Sequence, residues 1–159
     1  MGGAITAMGN VTHAAEFNMW ADPEASALIF QNFKNIELVS WEVSSQTGEV
    51  FNPEFLGKYS ESFTNNRGIF VNKLTHFNSN LLFCDPIAMA VMLDPSVVME
   101  TTDRECYVEM HGNYTRGMLI VNWHSSTISH VRTEKNVNTR VITKLDLNKI
   151  AAMLIESIS

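Results

Sequence analysis

Helix-start signals alternate with strand-forming runs, and this alternation constrains the fold more than any other feature of the chain. Residues 22–34 open with Asp22 and Pro23, which suit the N-cap and the first helical position. The next run, 36–43, is rich in β-branched and aromatic residues and predicts a strand. A helix that leads directly into a strand is typical of a crossover unit, so we predict an α/β fold.

The rest of the chain repeats the same alternation. Further helices are predicted at 53–80, 84–94 and 146–157. Four runs with strand propensity lie at 97–101, 105–111, 117–123 and 137–142. The helix at 84–94 starts with another Asp–Pro pair and is expected to begin at Asp85. In the helix at 22–34, the apolar residues Ala25, Leu28 and Ile29 recur at helical spacing.

Charge and composition narrow the classes of function. The net charge is −6 with a pI of 5.3, which argues against a nucleic-acid-binding surface, because phosphate contacts need clustered Lys and Arg. No apolar run approaches the roughly 20 residues that a membrane span requires. The two cysteines, Cys84 and Cys106, have no zinc-site spacing, and so few thiols favour a reducing compartment. These features predict a cytoplasmic protein without nucleic-acid or membrane partners.

A short stretch at 9–18, GNVTHAAEFN, concentrates polar side chains just before the first predicted helix. Its Asn and Glu side chains could donate to and accept from the adjacent hydroxyls of a sugar. Loops are also polar simply because they are solvated, and spacing alone favours this simpler interpretation.

Three sequence blocks, which occur in order along the chain, favour the sugar-binding interpretation over the solvated loop. Residues 1–25 contain MGGA, GNVT-x-AAEFN and DPEA, residues 83–95 read FCDPIAMAVMLDP, and residues 108–121 read VEMHGNYTRGMLIV. Together they resemble the inosine/uridine-preferring nucleoside hydrolase family. The blocks extend over about three quarters of the chain, which is far more specific than any single motif.

The resemblance implies a set of ribose-binding residues. The Met of MGGA, the Asn of GNVT and the Glu and Asn of EFN surround the ribose hydroxyls in this family. The matching positions are Met1, Asn10, Glu16 and Asn18. Phe17 would lie beside the sugar and support a cationic ribosyl transition state.

The resemblance of the second block implies residues that bind calcium and residues that lie beside the leaving base. Asp85 matches a family aspartate that binds calcium and also touches ribose. Many relatives carry His immediately before it, where it can act as an acid toward the leaving base, but this chain has Cys84. A thiol with an ordinary pKa of about 8.5 is a poorer proton donor, so the resemblance leaves the base preference open. A subgroup of the family carries Cys at this position, and the chain resembles that subgroup.

The implied reaction is hydrolysis of the N-glycosidic bond of a ribonucleoside to free base and ribose. In the family, an aspartate activates a calcium-bound water, which attacks the anomeric carbon as the ring gains oxocarbenium character. The family resemblance also implies a homo-oligomer. Calcium takes about six to eight oxygen ligands, so Asp85 cannot hold it alone.

The family's Asp-rich DxDxxxDD cluster, which supplies most calcium ligands, has no match in the sequence. We therefore expect residues 1–159 to form a partial nucleoside hydrolase domain without the N-terminal metal-binding part. The expected fold is the C-terminal portion of a Rossmann-like, mostly parallel sheet with helices on both faces. The segment 97–123 should add an antiparallel hairpin or sheet edge. The alternative is a truncated, inactive or partner-dependent homologue, which by itself would neither bind calcium tightly nor hydrolyse nucleosides.

Overall fold

The computed structural model of the chain describes residues 1–6, 8–45, 47, 50–52, 55, 65–76, 83–123 and 137–158. The helices are α1 (Phe17–Ala21), α2 (Pro23–Asn32), α3 (Trp41–Ser45), α4 (Asn66–His76), α5 (Cys84–Leu93) and α6 (Leu147–Ile158), with a 3-10 helix at Pro95–Val97. The strands are β1 (Ile36–Val39), β2 (Val98–Arg104), β3 (Cys106–Val108), β4 (Leu119–Val121) and β5 (Thr139–Leu145). The α/β class predicted from the sequence is confirmed.

The strands form two sheets. One has the order β1-β5-β2, and β1 pairs with β5 in parallel. Strand β2 runs antiparallel to β5, because Asn138 N–H donates to the Arg104 carbonyl while Asp146 N–H donates to the Val97 carbonyl. The sheet is therefore mixed. Strands β3 and β4 form a separate antiparallel pair, which confirms the predicted antiparallel addition, whereas β2 belongs to the larger sheet.

Local signals place most helix boundaries correctly. Asp22 Oδ1 accepts from Ala25 N–H at 2.9 Å and caps α2 as predicted. Asp146 Oδ1 accepts from Lys149 N–H at 3.0 Å at the start of α6. Helix α5 begins at Cys84 rather than Asp85, and its N-cap, Phe83, makes no side-chain cap hydrogen bond. Asp85 therefore lies within the first turn.

The strand predicted at 36–43 differs from the structure. The predicted strand 36–43 ends at Val39, and residues 41–45 form helix α3, because tertiary contacts outweigh the strand propensity of this run. In α2 the buried face holds Ala27 and Phe30, whereas Leu28 is 58% exposed. The sequence of α2 has apolar residues on more than one side, so helical spacing alone does not identify the face that packs. Of the predicted helix 53–80, only α4 lies among the described helical segments; residues 53–54, 56–64 and 77–80 lie outside the described residues.

The contacts divide the chain into two compact units. The first unit comprises Met1–Glu42 and Glu100–Thr143, and the second comprises Val43–Met99 and Lys144–Ser159. One apolar core lies in the first unit and includes buried residues from α1, α2, β1, β3, β4 and β5. Its buried members are Met19, Ala27, Phe30, Leu38, Cys106, Val108, Leu119 and Val141.

In the second unit, helix α5 packs against α6 and the 3-10 helix. Three buried phenylalanines, Phe51, Phe55 and Phe83, contact one another, with Phe51 and Phe83 stacked at a centroid distance of 4.9 Å. Among the described residues, no helix is long and apolar enough to cross a membrane.

Candidate functional site

The first motif block lies against the end of β1. Gly2 N–H donates to the Val39 carbonyl at 3.1 Å, and Trp41 N–H donates to the Gly3 carbonyl at 2.8 Å. These two bonds fix the backbone of Met1–Gly3 beside the sheet. The first candidate ribose-binding residue, Met1, is therefore attached to a rigid element rather than to a free loop.

Glu16 joins this segment to helix α1. Its side chain is buried, with 2% of its surface exposed. Oε2 accepts from Gly3 N–H at 2.9 Å, from Asn18 N–H at 3.0 Å and from Met19 N–H at 3.4 Å. The carboxylate thus caps α1 and holds the Met1–Gly3 segment at the same time. In this structure Glu16 acts as a support for its neighbours.

Asn18 and Met1 are in direct contact as a result. Asn18 Nδ2 lies 3.2 Å from Met1 Sδ and 3.4 Å from the Met1 carbonyl oxygen. The Asn18 side chain is exposed and Met1 is half-buried. Two of the predicted ribose-binding residues therefore present adjacent polar and polarisable atoms at the surface.

Asn10 and Phe17 form the neighbouring part of the site. Asn10 Oδ1 accepts from Phe17 N–H at 2.8 Å, which adds a second side-chain cap to α1. The ring of Phe17 is 53% exposed and lies 6.2 Å from that of Trp20. The structure therefore brings together all five predicted residues of the first block, Met1, Asn10, Glu16, Phe17 and Asn18.

The loop between these residues is closed by its own hydrogen bonds. Thr12 Oγ1 accepts from Ala15 N–H at 2.9 Å, and Gly9 N–H donates to the His13 carbonyl at 3.3 Å. A Cβ on Gly9 would lie 2.2 Å from the Ala15 carbonyl oxygen, so only glycine fits there. His13 is exposed, in keeping with the polar character of the loop.

The remaining predicted site residues, Cys84 and Asp85, lie in the second unit in the first turn of α5. Phe83, directly before them, is 3% exposed and is anchored in the aromatic cluster described above. Cys84 is half-buried and Asp85 is exposed. The buried phenylalanine thus fixes the start of the helix while the carboxylate of Asp85 faces outward.

The described residues do not by themselves provide a calcium site. They contain no group of three or more His, Cys, Asp or Glu side chains arranged to hold a metal ion. Asp85 supplies a single carboxylate, whereas calcium takes about six to eight oxygen ligands.

Sequence patterns missed a second buried glutamate, Glu42. Its side chain is 6% exposed, and Oε1 accepts from both Ile5 N–H and Thr6 N–H at 2.5 Å. Glu42 therefore holds the segment that follows Gly3, as Glu16 holds the segment that precedes it. The residues involved are 36 and 37 positions apart, so no local pattern could have indicated the contact.

The third motif block forms a turn that contacts α2. Arg116 binds Glu24 through both guanidinium nitrogens, with Nη2–Oε2 and Nη1–Oε1 distances of 2.8 Å. The Arg116 guanidinium lowers the pKa of Glu24. Within the turn, the backbone N–H groups of His111 and Gly112 lower the pKa of Glu109, whose Oε1 accepts from both. Glu109 of this block and Glu24 of α2 therefore both have structural partners.

The two cysteines differ in accessibility, which gives a first testable prediction. Burial raises the pKa of the Cys106 thiol to about 11, and the side chain is fully buried. We expect iodoacetamide to alkylate Cys84 in the native chain and Cys106 only after unfolding, because the thiolate is the reactive form. Peptide mapping by mass spectrometry measures both rates. Cys84→Ser should remove the native-state label, and equal labelling of both thiols would contradict the prediction.

Comparison with known proteins shows which family the chain is similar to. A family model described as inosine-uridine preferring nucleoside hydrolase matches residues 1–152. The inosine-uridine preferring nucleoside hydrolase of Crithidia fasciculata is 28% identical over 160 residues, covering 94% of this chain and 48% of that protein. The pyrimidine-specific ribonucleoside hydrolase RihA of Salmonella paratyphi B is 31% identical over 143 residues, covering 80% of this chain and 43% of that protein.

Solved structures of nucleoside hydrolases are also similar to the chain in fold. An inosine-guanosine nucleoside hydrolase superposes with a TM-score of 0.82 at 28% identity, covering 99% of this chain and 50% of that one. The plant nucleoside hydrolase PpNRh1 superposes with a TM-score of 0.80 at 27% identity, covering 99% and 51%. The chain therefore spans about half the length of the relatives that it matches.

Proposed function

Because the chain belongs to the inosine-uridine preferring nucleoside hydrolase family, we propose that its protein hydrolyses the N-glycosidic bond of ribonucleosides and releases free base and ribose. The relatives' names include inosine-uridine preferring, pyrimidine-specific and inosine-guanosine enzymes. Purine and pyrimidine ribonucleosides are therefore both candidate substrates.

One observation supports the proposal most directly: a buried carboxylate unites two family motifs. Oε2 of Glu16 binds the backbone of Gly3 in MGGA and of Asn18 in EFN, and it thereby sets Met1 beside Asn18. Sugar recognition needs polar groups whose positions are fixed before the ligand arrives. A solvated loop would not require a buried glutamate with three backbone donors.

The proposed roles follow from these positions. Asn18 and Asn10, both exposed, would bind ribose hydroxyls together with the carboxylate of Glu16, and Met1 would contact the sugar beside them. The exposed ring of Phe17 would stabilise positive charge on the ribosyl group through its π face. Cys84 would lie on the side of the leaving base.

The remaining parts of the proposal concern the whole protein. Asp85 would contribute one calcium ligand and a contact to ribose, with the other metal ligands supplied from outside the described residues. A cytoplasmic location and a homo-oligomer are proposed from the sparse cysteines and the family resemblance, respectively.

Base release from inosine and uridine tests the proposed function. We expect the purified protein to release hypoxanthine or uracil in the presence of calcium, and Asp85→Asn to abolish the release. Asn18→Ala should lower kcat/KM by about 100-fold, since misplacement of substrate by about 1 Å costs that much. Asn148→Ala, at an exposed position in α6, is the matched control and should leave the rate unchanged.

Absence of turnover with retained ribose binding would contradict hydrolysis and favour the alternative of an inactive homologue. Turnover that is insensitive to both Asn18→Ala and Asp85→Asn would show that the reaction takes place elsewhere.

A further inference from the structure

We propose that Gly117 is a positioning residue for helix α1, and that the hairpin of residues 106–121 uses this contact to seat the ribose-binding side chains. The role in ribose binding rests on the proposed function, whereas the contact itself does not. The three atoms nearest to a Cβ at Gly117 belong to Ala15, Met19 and Trp20, which are not candidate ribose-binding residues, so Gly117 would act through helix α1.

The hairpin backbone and α1 meet at Gly117 without a side chain between them. A Cβ on Gly117 would lie 2.9 Å from Trp20 Cα, 3.2 Å from the Met19 carbonyl oxygen and 3.2 Å from Ala15 Cβ. The first two are backbone atoms of α1, which cannot rotate away as a side chain can. An added methyl group must therefore displace the helix, the hairpin or both.

The conformation of Gly117 provides a second constraint. Its φ is +82°, a region that residues with a Cβ rarely adopt. Its N–H also donates to the Glu109 carbonyl at 2.7 Å, which fixes the glycine within the turn. Glycine is thus required both by the shape of the turn and by the close approach to α1.

The hairpin is itself held in place, so it can resist movement of α1. Leu119 is 2% exposed and belongs to the same core as Met19 of α1. The Arg116–Glu24 ion pair adds a contact to α2, but both side chains are about half exposed. Exposed ion pairs contribute little, so the close packing at Gly117 should dominate over the ion pair.

Displacement of α1 would move the candidate ribose-binding residues, because direct hydrogen bonds and contacts connect them to this helix. The N–H groups of Asn18 and Met19 both bind Glu16 Oε2, and Asn18 Nδ2 contacts Met1. A shift at Met19 and Trp20 would therefore loosen the α1 cap and move Asn18 relative to Met1.

Three glycine variants of the full chain separate the possible causes. Gly117→Ala adds a methyl group at a positive φ and against α1. Gly117→Asn tolerates the positive φ better, because Asn adopts this region more readily, but it is at least as bulky toward α1. Gly112→Ala is the matched control, since its Cβ would meet the Thr115 hydroxyl of the same hairpin rather than α1.

Two readouts distinguish positioning from general destabilisation. Amide hydrogen exchange at Asn18 and Met19 reports directly on the α1 cap and requires no ligand. D-Ribose affinity, measured by calorimetry, reports on the site. We expect Gly117→Ala and Gly117→Asn to speed exchange at both amides by about 10-fold or more and to weaken ribose binding by about 10-fold or more, while Gly112→Ala changes neither.

Each alternative outcome has a definite meaning. Near-wild-type exchange in Gly117→Asn, with fast exchange in Gly117→Ala, would show backbone strain alone and overturn the positioning role. Unchanged exchange in both variants would also overturn it. Faster exchange in a chain whose wild type does not bind ribose would support the contact with α1 and count against the proposed function instead. If Gly117→Ala does not fold, Ala15→Ser adds one atom on the other side of the same contact and should give the same pattern.

Discussion

Replacement of Asn138 with alanine is expected to lower the free energy of unfolding by about 3–5 kcal/mol, since each buried polar group left without a partner costs roughly 1–3 kcal/mol. Asn138 is buried and links three parts of the first unit. Oδ1 accepts from Cys106 N–H and Thr139 Oγ1–H, both at 2.9 Å. Nδ2 donates to the carbonyl oxygens of Phe30 at 2.7 Å and Cys106 at 2.9 Å.

Equilibrium unfolding in urea measures this effect. Asn148→Ala removes the same amide at an exposed helical position and should change stability by less than about 0.5 kcal/mol. Asn138→Asp should also lower the free energy of unfolding, because it places a carboxylate oxygen against the carbonyl oxygens of Phe30 and Cys106, which accept from Asn138 Nδ2 in the wild type. A loss below about 1 kcal/mol in Asn138→Ala would contradict the role of Asn138 as a hydrogen-bonding centre of this unit.

The second large effect is expected at Glu16. Glu16→Ala should lower the free energy of unfolding by about 2–4 kcal/mol, because it removes the cap of α1 and leaves the buried Gly3 N–H without its acceptor. The same variant should weaken ribose binding strongly, since Met1 and Asn18 lose the link that places them together. Glu16→Gln keeps an acceptor oxygen and should lose less of both quantities.

Asp22→Ala provides a matched comparison for Glu16→Ala. Asp22 caps α2 through one hydrogen bond to Ala25 N–H, and its loss should cost about 1 kcal/mol without altering ribose affinity. Urea unfolding and calorimetric titration with D-ribose measure the two quantities for each variant. Equal ribose affinity in Glu16→Ala and the wild type would contradict the supporting role of Glu16.

Sequence predicted those parts of the fold that depend on neighbouring residues. Asp22 and Pro23 determine the start of α2 through contacts within three residues of the chain, and the prediction there is confirmed. The predicted strand at 36–43 is too long, because helix α3 is stabilised in place by Gly3, a distant residue whose carbonyl accepts from Trp41 N–H. In α2 the apolar residues Ala25, Leu28 and Ile29 indicate a helix but not its buried face, which is determined by strand β3 that packs on it.

In the candidate site, too, local sequence patterns were predictable and contacts between distant residues were not. The first motif block indicated five site residues from sequence, but not the contacts that hold them together; the five are Met1, Asn10, Glu16, Phe17 and Asn18. Asn138 and Phe30 are 108 positions apart, and no local pattern connects them. The requirement for glycine at position 117 depends on helix α1, almost 100 residues earlier. In the sequence, Gly117 is marked by its position in the third motif block, VEMHGNYTRGMLIV. Close approaches between distant segments therefore set the limit of sequence-based prediction here.

The most direct measurement is a titration of the isotopically labelled chain with D-ribose, followed by NMR at the side-chain amides of Asn10 and Asn18. The proposed site predicts saturable shifts at both amides and none at Asn148, and it predicts that Glu16→Ala abolishes the shifts. Absence of any change at Asn10 and Asn18, or an equal response in Glu16→Ala, would show that these residues do not form a ribose-binding site.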